Sequence, residues 1–384
     1  MQVTPFRIEV PPAELDDLRR RVRATRWPDD ETVTDWSQGT PTAFMRELAH
    51  HWGTDYDWRR FERRMQAVPQ FRTAIDGIRV HFLHVRSPRA DAVPLLLTHG
   101  WPGSFIEFLD VLGPLTDPDA ADSPAFHLVV PSVPGYGFSD RPTEPGWGIE
   151  RIAGAWAELM RRLGYPRYLA GGGDWGTSIS TVLGSLDREH VIGLYLTPPL
   201  VAPDLDAPGG LTDAEREGLE VLAATEDGSA YAALHSSRPQ TLAHALADSP
   251  VGQAAWIIEK IASWADVGSP ERVFEVLDRD RVLDNITLYW LTGTGASSTR
   301  LYWESFRTVD GWFRDGTTDT VDVPVAASIF RDTPRPSRRW AERRFPDIRY
   351  WGEPARGGHF AAFEQPAVFV TELRAAATAL LERP

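Results

Sequence analysis

Apolar positions recur at steps of three and four near the start of the chain. Leu15, Leu18 and Val22 share one face of a segment opened by Pro12, and a second segment runs from Thr40-Pro41 to Trp52. Residues 1–70 therefore read as a helical extension whose apolar face must be buried on something else. From Phe71 the period changes to that of strands: Phe71 to Ile75 and Arg79 to Val85 flank Asp76-Gly77, a dipeptide that favours a tight hairpin. Short apolar runs follow at Leu95 to Leu97, Leu128 to Val130 and Tyr168 to Ala170, each soon followed by Gly or Pro and separated by helical segments. Buried strands alternating with helices predict an α/β fold, a mostly parallel sheet flanked by helices, with active residues in loops at the carboxyl ends of the strands. After Leu194 to Leu196 the strand pattern stops at Pro198-Pro199 and resumes at Val323-Pro324-Val325. Between them, residues 200–320 hold apolar helical stretches containing Trp256, Trp264, Trp290, Trp303 and Trp312, which predicts an inserted helical lid. Strands from Val325 to Phe330 and Ile348 to Trp351, then a helix from Ala367 to Leu381, complete a core of residues 71–199 and 321–384.

Gly171-Gly172-Gly173-Asp174-Trp175-Gly176 joins the strand at Tyr168 to a helical segment that runs through Leu186. Gly172 and Gly176 flank Asp174 at both second neighbours, as in the strand–turn–helix elbow G-x-S-x-G, with Asp in place of Ser. The glycines suit a turn of unusual backbone angles in which strand and helix crowd together. A carboxylate needs no base to become a nucleophile at neutral pH, and the N-terminus of the following helix favours its charge. The same letters spell G-x-G-x-x-G, a dinucleotide-binding pattern, but Asp174 and Trp175 would then stand where a pyrophosphate needs bare N–H groups. A Gly-rich turn with a helix-capping Asp also fits these residues taken alone.

Composition narrows the field. The chain has 384 residues, 42% of them hydrophobic, with 40 basic against 54 acidic residues and a net charge of −14, which argues against nucleic acid or an anionic membrane surface as partner. With no cysteine there is no disulfide, thiolate metal site or Cys nucleophile. No signal-like start and no run of about 18 apolar residues appears, so a soluble, cytoplasmic protein is expected. Of the 40 basic residues only Lys260 is a lysine, which suggests a GC-rich bacterial genome.

An ester formed on Asp174 would need a base to activate water, and among ten histidines His359 stands out, in Gly357-Gly358-His359-Phe360 just after the last strand. The pair His50-His51 and His84 lie outside such loops and read as surface or core groups. Asp332, after the strand ending at Phe330, can hold the imidazole, which gives the chain order Asp174, Asp332, His359 of the α/β-hydrolase fold, although exposed loop carboxylates are common. His99-Gly100-Trp101-Pro102 follows the strand at Leu95 to Leu97, where that fold draws one oxyanion-hole N–H, from Trp101; Trp175 would supply the other. A plain Gly/Pro turn explains the loop equally well on its own.

Together with the lid segment Asp248-Ser249-Pro250-Val251-Gly252 and the stretch Gly357-Gly358-His359-Phe360-Ala361-Ala362, these motifs resemble the epoxide hydrolases of the microsomal type, including soluble bacterial members and the insect juvenile hormone epoxide hydrolases. The resemblance covers nearly the whole chain. It implies an α/β-hydrolase fold, cofactor-independent hydrolysis of an epoxide to a vicinal diol, and two lid tyrosines, Tyr231 and Tyr302, that grip the epoxide oxygen. The microsomal enzymes carry an N-terminal membrane anchor that this sequence lacks, and usually a Glu where Asp332 stands. The expected partners are a small-molecule epoxide and water, with no metal or organic cofactor, no nucleic acid and no membrane; homo-oligomerisation is left open. The aromatic lid suggests a bulky apolar or aryl substrate, such as an intermediate of secondary metabolism. A haloalkane dehalogenase, with Trp175 as a halide donor, and a non-catalytic protein binding an apolar ligand under the lid are the alternatives.

Overall fold

The hairpin at Asp76-Gly77 forms in the register its turn chemistry dictates: Ile75 pairs with Ile78, and both turn residues take positive φ, 48° and 81°. The computed structural model describes residues 2–120, 122–206, 209–224, 229–314, 319–331 and 335–382. Among them one sheet is built from β1 (Thr4–Pro5), β2 (Gln70–Ile75), β3 (Ile78–Val85), β4 (Val93–Thr98), β5 (Phe126–Pro131), β6 (Tyr168–Gly173), β7 (Val191–Thr197), β8 (Val325–Ser328) and β9 (Ile348–Gly352). The strand order is β1-β2-β3-β5-β4-β6-β7-β8-β9. β1, β2 and β3 pair antiparallel, β3 joins β5 antiparallel, and every pair from β5 to β9 is parallel. This is an α/β-hydrolase fold.

Helices cover both faces, and two neighbouring residues of β7 show it. A Cβ on Gly184, in the helix Trp175–Leu186, would strike Leu194, while a Cβ on Gly193 would strike Leu380 of the C-terminal helix Pro366–Leu381. Successive strand residues point to opposite sides, so these helices lie on opposite faces. Because β5 lies on one side of β4 and β6 on the other, the carboxyl end of β4 is where the chain order reverses, the place where such sheets bind ligands.

The N-terminal helices Pro12–Arg23 and Thr42–Thr54 form as expected, with Leu15, Leu18 and Val22 buried. A third, Trp58–Met65, and the edge strand β1 do not stand out in the sequence: one is short and Arg-rich, the other two residues long and ending in Pro. The extension is anchored on the helix Arg279–Thr292, one of those between β7 and β8. Trp52 Nε1 donates to Thr287 Oγ1 at 2.9 Å, Tyr56 Oη donates to Asp284 at 2.7 Å, and Arg60 Nη2 reaches both Asp284 oxygens at 2.8 Å. No helix among the described residues is long and apolar enough to cross a membrane.

Asp284 is 1% exposed, and removing it takes the nearest carboxylate from Arg60 and an acceptor from the Tyr56 hydroxyl. Asp284→Ala should lower the unfolding free energy by about 2–3 kcal/mol, discounted for the partial exposure of Arg60; urea unfolding of the variant against the parent checks this.

Candidate active site

β6 delivers Asp174 at the tip of a sharp turn. Asp174 has φ 52° and ψ −126°, one of two non-glycine residues with positive φ among those described, and it caps the helix Trp175–Leu186. The strain sits on Asp174 itself, a cost on the order of 1–3 kcal/mol. Gly172 and Gly176 are needed for a different reason: a Cβ on either would collide with the carbonyl oxygen of Thr98, the last residue of β4. The turn is pressed onto the end of the central strand, and only bare Cα atoms allow it.

The loop after β4 meets the carboxylate from the other side. Trp101 N–H donates to Asp174 Oδ1 at 2.9 Å, and Gly100 has no room for a Cβ because that carboxylate lies against it. His99 sets the direction of this N–H. Val133 N–H donates to His99 Nε2 at 3.2 Å, so Nδ1 carries the proton and donates to the Gly100 carbonyl at 2.9 Å. Gly100 C=O and Trp101 N–H belong to one planar peptide, so holding the first aims the second. Burial pushes His99 down to about 4, which keeps it neutral for this task. The loop is also tied to the helix Arg279–Thr292: Asn285 Nδ2 donates to Pro102 O at 2.8 Å and Tyr289 Oη to Gly103 O at 2.7 Å. Trp175 is the first residue of the elbow helix, so its N–H has no intrahelical acceptor.

His359 comes to the same point from the loop after β9. Its Nε2 lies 3.7 Å from Asp174 Oδ2, and the side chains of His359 and Asp174 remain 14% and 19% exposed, so an open space reaches both. The loop is fixed by its backbone. His359 N–H donates to Trp264 O at 3.0 Å, and the buried Glu364 accepts from Gly358 N–H and Phe360 N–H, on either side of the histidine, and from Asp266 N–H. Asp332 lies outside the described residues.

The helices Ala230–Ser237 and Arg300–Arg314 bring Tyr231 and Tyr302 together, with their hydroxyls 3.4 Å apart. Trp101 and Trp175, singled out in the sequence only for their N–H groups, also shape this pair with their rings. Trp101 stacks on Tyr231 at 5.2 Å and meets Tyr302 edge-on at 6.0 Å, and Trp175 meets Tyr302 edge-on at 4.8 Å. Trp264 completes the wall, 5.3 Å from Tyr231 and 4.8 Å from the His359 ring. Burial, then Tyr231 and Asp174, hold the Tyr302 hydroxyl well above the usual tyrosine range, so it stays protonated.

Three groups here were missed in the sequence: Glu364, His235 and Glu107. Glu107 is the most informative, and its signal was its place in the same loop as Trp101. A Cβ on Gly103 would occupy the site of the Glu107 carboxyl, and the residue is only partly accessible. Burial, with Asp174 and Glu364 adding repulsion and His359 opposing it, raises Glu107 to about 8. The folded chain therefore keeps a proton that the unfolded chain releases near 4.5, and this part of the stability is lost as pH rises from about 4.5 to about 8. Glu107→Gln should abolish that slope, gaining at least about 2 kcal/mol on the parent between pH 5 and pH 8.5, at about 1.4 kcal/mol per pH unit. Unfolding free energies of both proteins across this range provide the check.

Comparison with known proteins agrees with this geometry. The model of the family “Epoxide hydrolase N terminus” matches residues 3–108, and that of the “alpha/beta hydrolase fold” matches residues 93–266. The chain is 51% identical over 378 residues to a protein of Stigmatella aurantiaca (strain DW4/3-1) assigned to the epoxide hydrolases, covering 97% of this chain and 84% of that one. It is 33% identical to epoxide hydrolase 1 of Sus scrofa, over 97% of this chain and 88% of that one. The solved structure of Aspergillus niger epoxide hydrolase superposes with a TM-score of 0.87 at 32% identity, covering 99% of this chain and 97% of that chain. The chain thus belongs to the epoxide hydrolases that join the epoxide hydrolase N-terminal segment to an α/β-hydrolase fold.

Proposed function

We propose that this epoxide hydrolase works through a covalent ester on Asp174, with residues 200–320 as the lid, residues 1–70 as an extension packed on the core, and residues 71–199 and 321–384 as the core itself. The observation that carries the reading is the division of labour between the two Asp174 oxygens. Oδ1 accepts the Trp101 N–H and Oδ2 faces His359 across 3.7 Å. Oδ2 attacks a ring carbon, the C–O bond breaks, and the epoxide oxygen takes a proton from the tyrosine pair, whose hydroxyls are close enough for one oxygen to accept from both. A phenol, with a pKa near 10, is protonated at neutral pH and acidic enough to quench an alkoxide. Water deprotonated by His359 then adds to the ester carbonyl while the N–H groups of Trp101 and Trp175 hold the oxyanion on Oδ1; its collapse breaks the bond from the carbonyl carbon to Oδ2, and the departing diol oxygen takes the proton from His359. Asp332 is the acid behind the imidazole, supported by its place in the chain after β8. No metal or organic cofactor takes part in these steps.

The wall of Trp101, Trp264, Tyr231 and Tyr302 supports a bulky apolar or aryl epoxide as substrate, such as one arising in secondary metabolism. A departing halide needs no proton, so in a dehalogenase the two tyrosines would have no task.

His359→Gln should block the second step and leave the first. Intact-protein mass after exposure to an aryl epoxide should show a gain equal to the whole epoxide, none from a chloroalkane, and none when Asp174→Ala is added. Normal diol turnover by Asp174→Ala would overturn the nucleophile assignment.

A further inference from the structure

Of the 40 basic residues in this chain one alone is a lysine, and it is not on the surface. Lys260 lies on the helix Pro250–Trp264, 6% exposed, with its ammonium 4.8 Å from the centre of the Tyr231 ring and 5.9 Å from that of Trp264. Its neighbour Glu259 pairs with it at 2.7 Å. A second basic group at the tyrosine pair is His235, fully buried, with its ring 5.5 Å from Tyr231 and 4.8 Å from Tyr302. Its Nε2 accepts the indole N–H of Trp256 at 3.0 Å, which a charged imidazole cannot do. Burial, then the charge of Lys260, hold His235 down to about 3. Lys260 and not His235 therefore supplies positive charge beside the pair.

The two tyrosines stand in different fields. Tyr302 is buried against Tyr231, Asp174 and Tyr136 and meets the indole of Trp175. Tyr231 is partly accessible and has a cation over its ring. A neutral phenol gains only the modest attraction of its ring quadrupole for that cation. A phenolate spreads its charge into the ring and gains a full charge–charge attraction in a poorly solvated site. The gain arises as the proton leaves, so it lowers the barrier rather than tightening the resting state.

Accepting the ester mechanism proposed above, we propose that Lys260 is a positioning residue that makes Tyr231 the tyrosine that gives up its proton, by holding an ammonium over the phenolate that forms, while Tyr302 remains a hydrogen-bond donor. The proton passes from Tyr231 Oη to the epoxide oxygen as the C–O bond breaks and the Asp174 ester forms. Tyr231 regains it after hydrolysis from the Asp174 carboxylic acid that the water attack leaves behind. Glu259, His235, Tyr302, Tyr136, Asp174 and His359 are among the described titratable groups around this pair, and the test separates Tyr231 from them by substitution.

The measurement is the rate of ester formation with styrene oxide against pH, in the His359→Gln background where the ester accumulates. Lys260→Met should slow it about tenfold to a hundredfold at pH 7 and move its alkaline limb, where a tyrosine ionises, up by about one unit. Lys260→Arg should bring the limb part of the way back. In Tyr231→Phe the loss from Lys260→Met should vanish. An unmoved limb, or the same loss with and without Tyr231, overturns the proposal. Ester formation at the parent rate in both Tyr231→Phe and Tyr302→Phe would instead overturn the tyrosine reading beneath it. If Lys260→Met does not fold, Lys260→Gln serves. If neither folds, a parent limb below about 10 that Tyr231→Phe removes and Tyr302→Phe keeps supports the proposal, and a limb untouched by Tyr231→Phe overturns it.

Discussion

The site depends on one close approach, that of the turn after β6 to the end of β4. Thr98 carbonyl oxygen sits where a Cβ of Gly172 or Gly176 would be, so the turn can close only over glycine. Closure forces Asp174 into positive φ and carries its carboxylate to Gly100 and to the Trp101 N–H. Strain at one residue is tolerated because two strands, a helix and a pinned loop over-determine its position. The Asp174 carboxylate and the Trp101 N–H that meets it are thus set in one step by the parallel pairing of β4 and β6.

The donor loop in turn leans on parts of the chain far from the sheet. Asn285 and Tyr289 hold the carbonyls of Pro102 and Gly103, and the same helix offers Asp284 and Thr287 to Tyr56, Arg60 and Trp52 of the N-terminal extension. Extension, inserted helix and loop form one line of hydrogen bonds ending at Trp101. A similar tie runs on the other side, where the helix ending at Trp264 takes the His359 N–H and Asp266 shares Glu364 with the histidine loop. The helices between β7 and β8 therefore bear on the geometry of Trp101 and His359.

What could be read from the sequence follows from how local each constraint is. The elbow, the Asp76-Gly77 hairpin and the alternation of strands with helices are written within a few adjacent residues, and all appear in the structure. The elbow glycines were legible, but their reason was half misread, since they serve close approach to Thr98 and the unusual angles fall on Asp174. Tyr231 and Tyr302 are 71 positions apart on separate helices, and nothing in their surroundings marks them among nine tyrosines; only the family resemblance singled them out. Glu364 sits five residues after His359 and acts through backbone N–H groups, a role with no side-chain pattern to read. Lys260 was visible as an oddity of composition, and its meaning came only with the ring beneath it.

The arrangement of charge is selective. Asp174, Glu107 and Glu364 lie near enough to influence one another, and three ionised carboxylates in a poorly solvated space would repel. Glu364 is occupied by three backbone N–H groups, Glu107 keeps its proton up to about 8, and His99 and His235 stay neutral to about 4 and about 3. Asp174 is left as the carboxylate aimed into the open space, met by a backbone N–H and a helix N-terminus. Such partial charges stabilise an anion at that point. Lys260, paired with Glu259, stands over the Tyr231 ring, and under the proposal above it acts once that ring becomes an anion. Under the ester mechanism proposed above, a cation opposite a group that ionises during the reaction, with dipoles opposite one already ionised, favours the transition state over the ground state at both ends of the breaking bond.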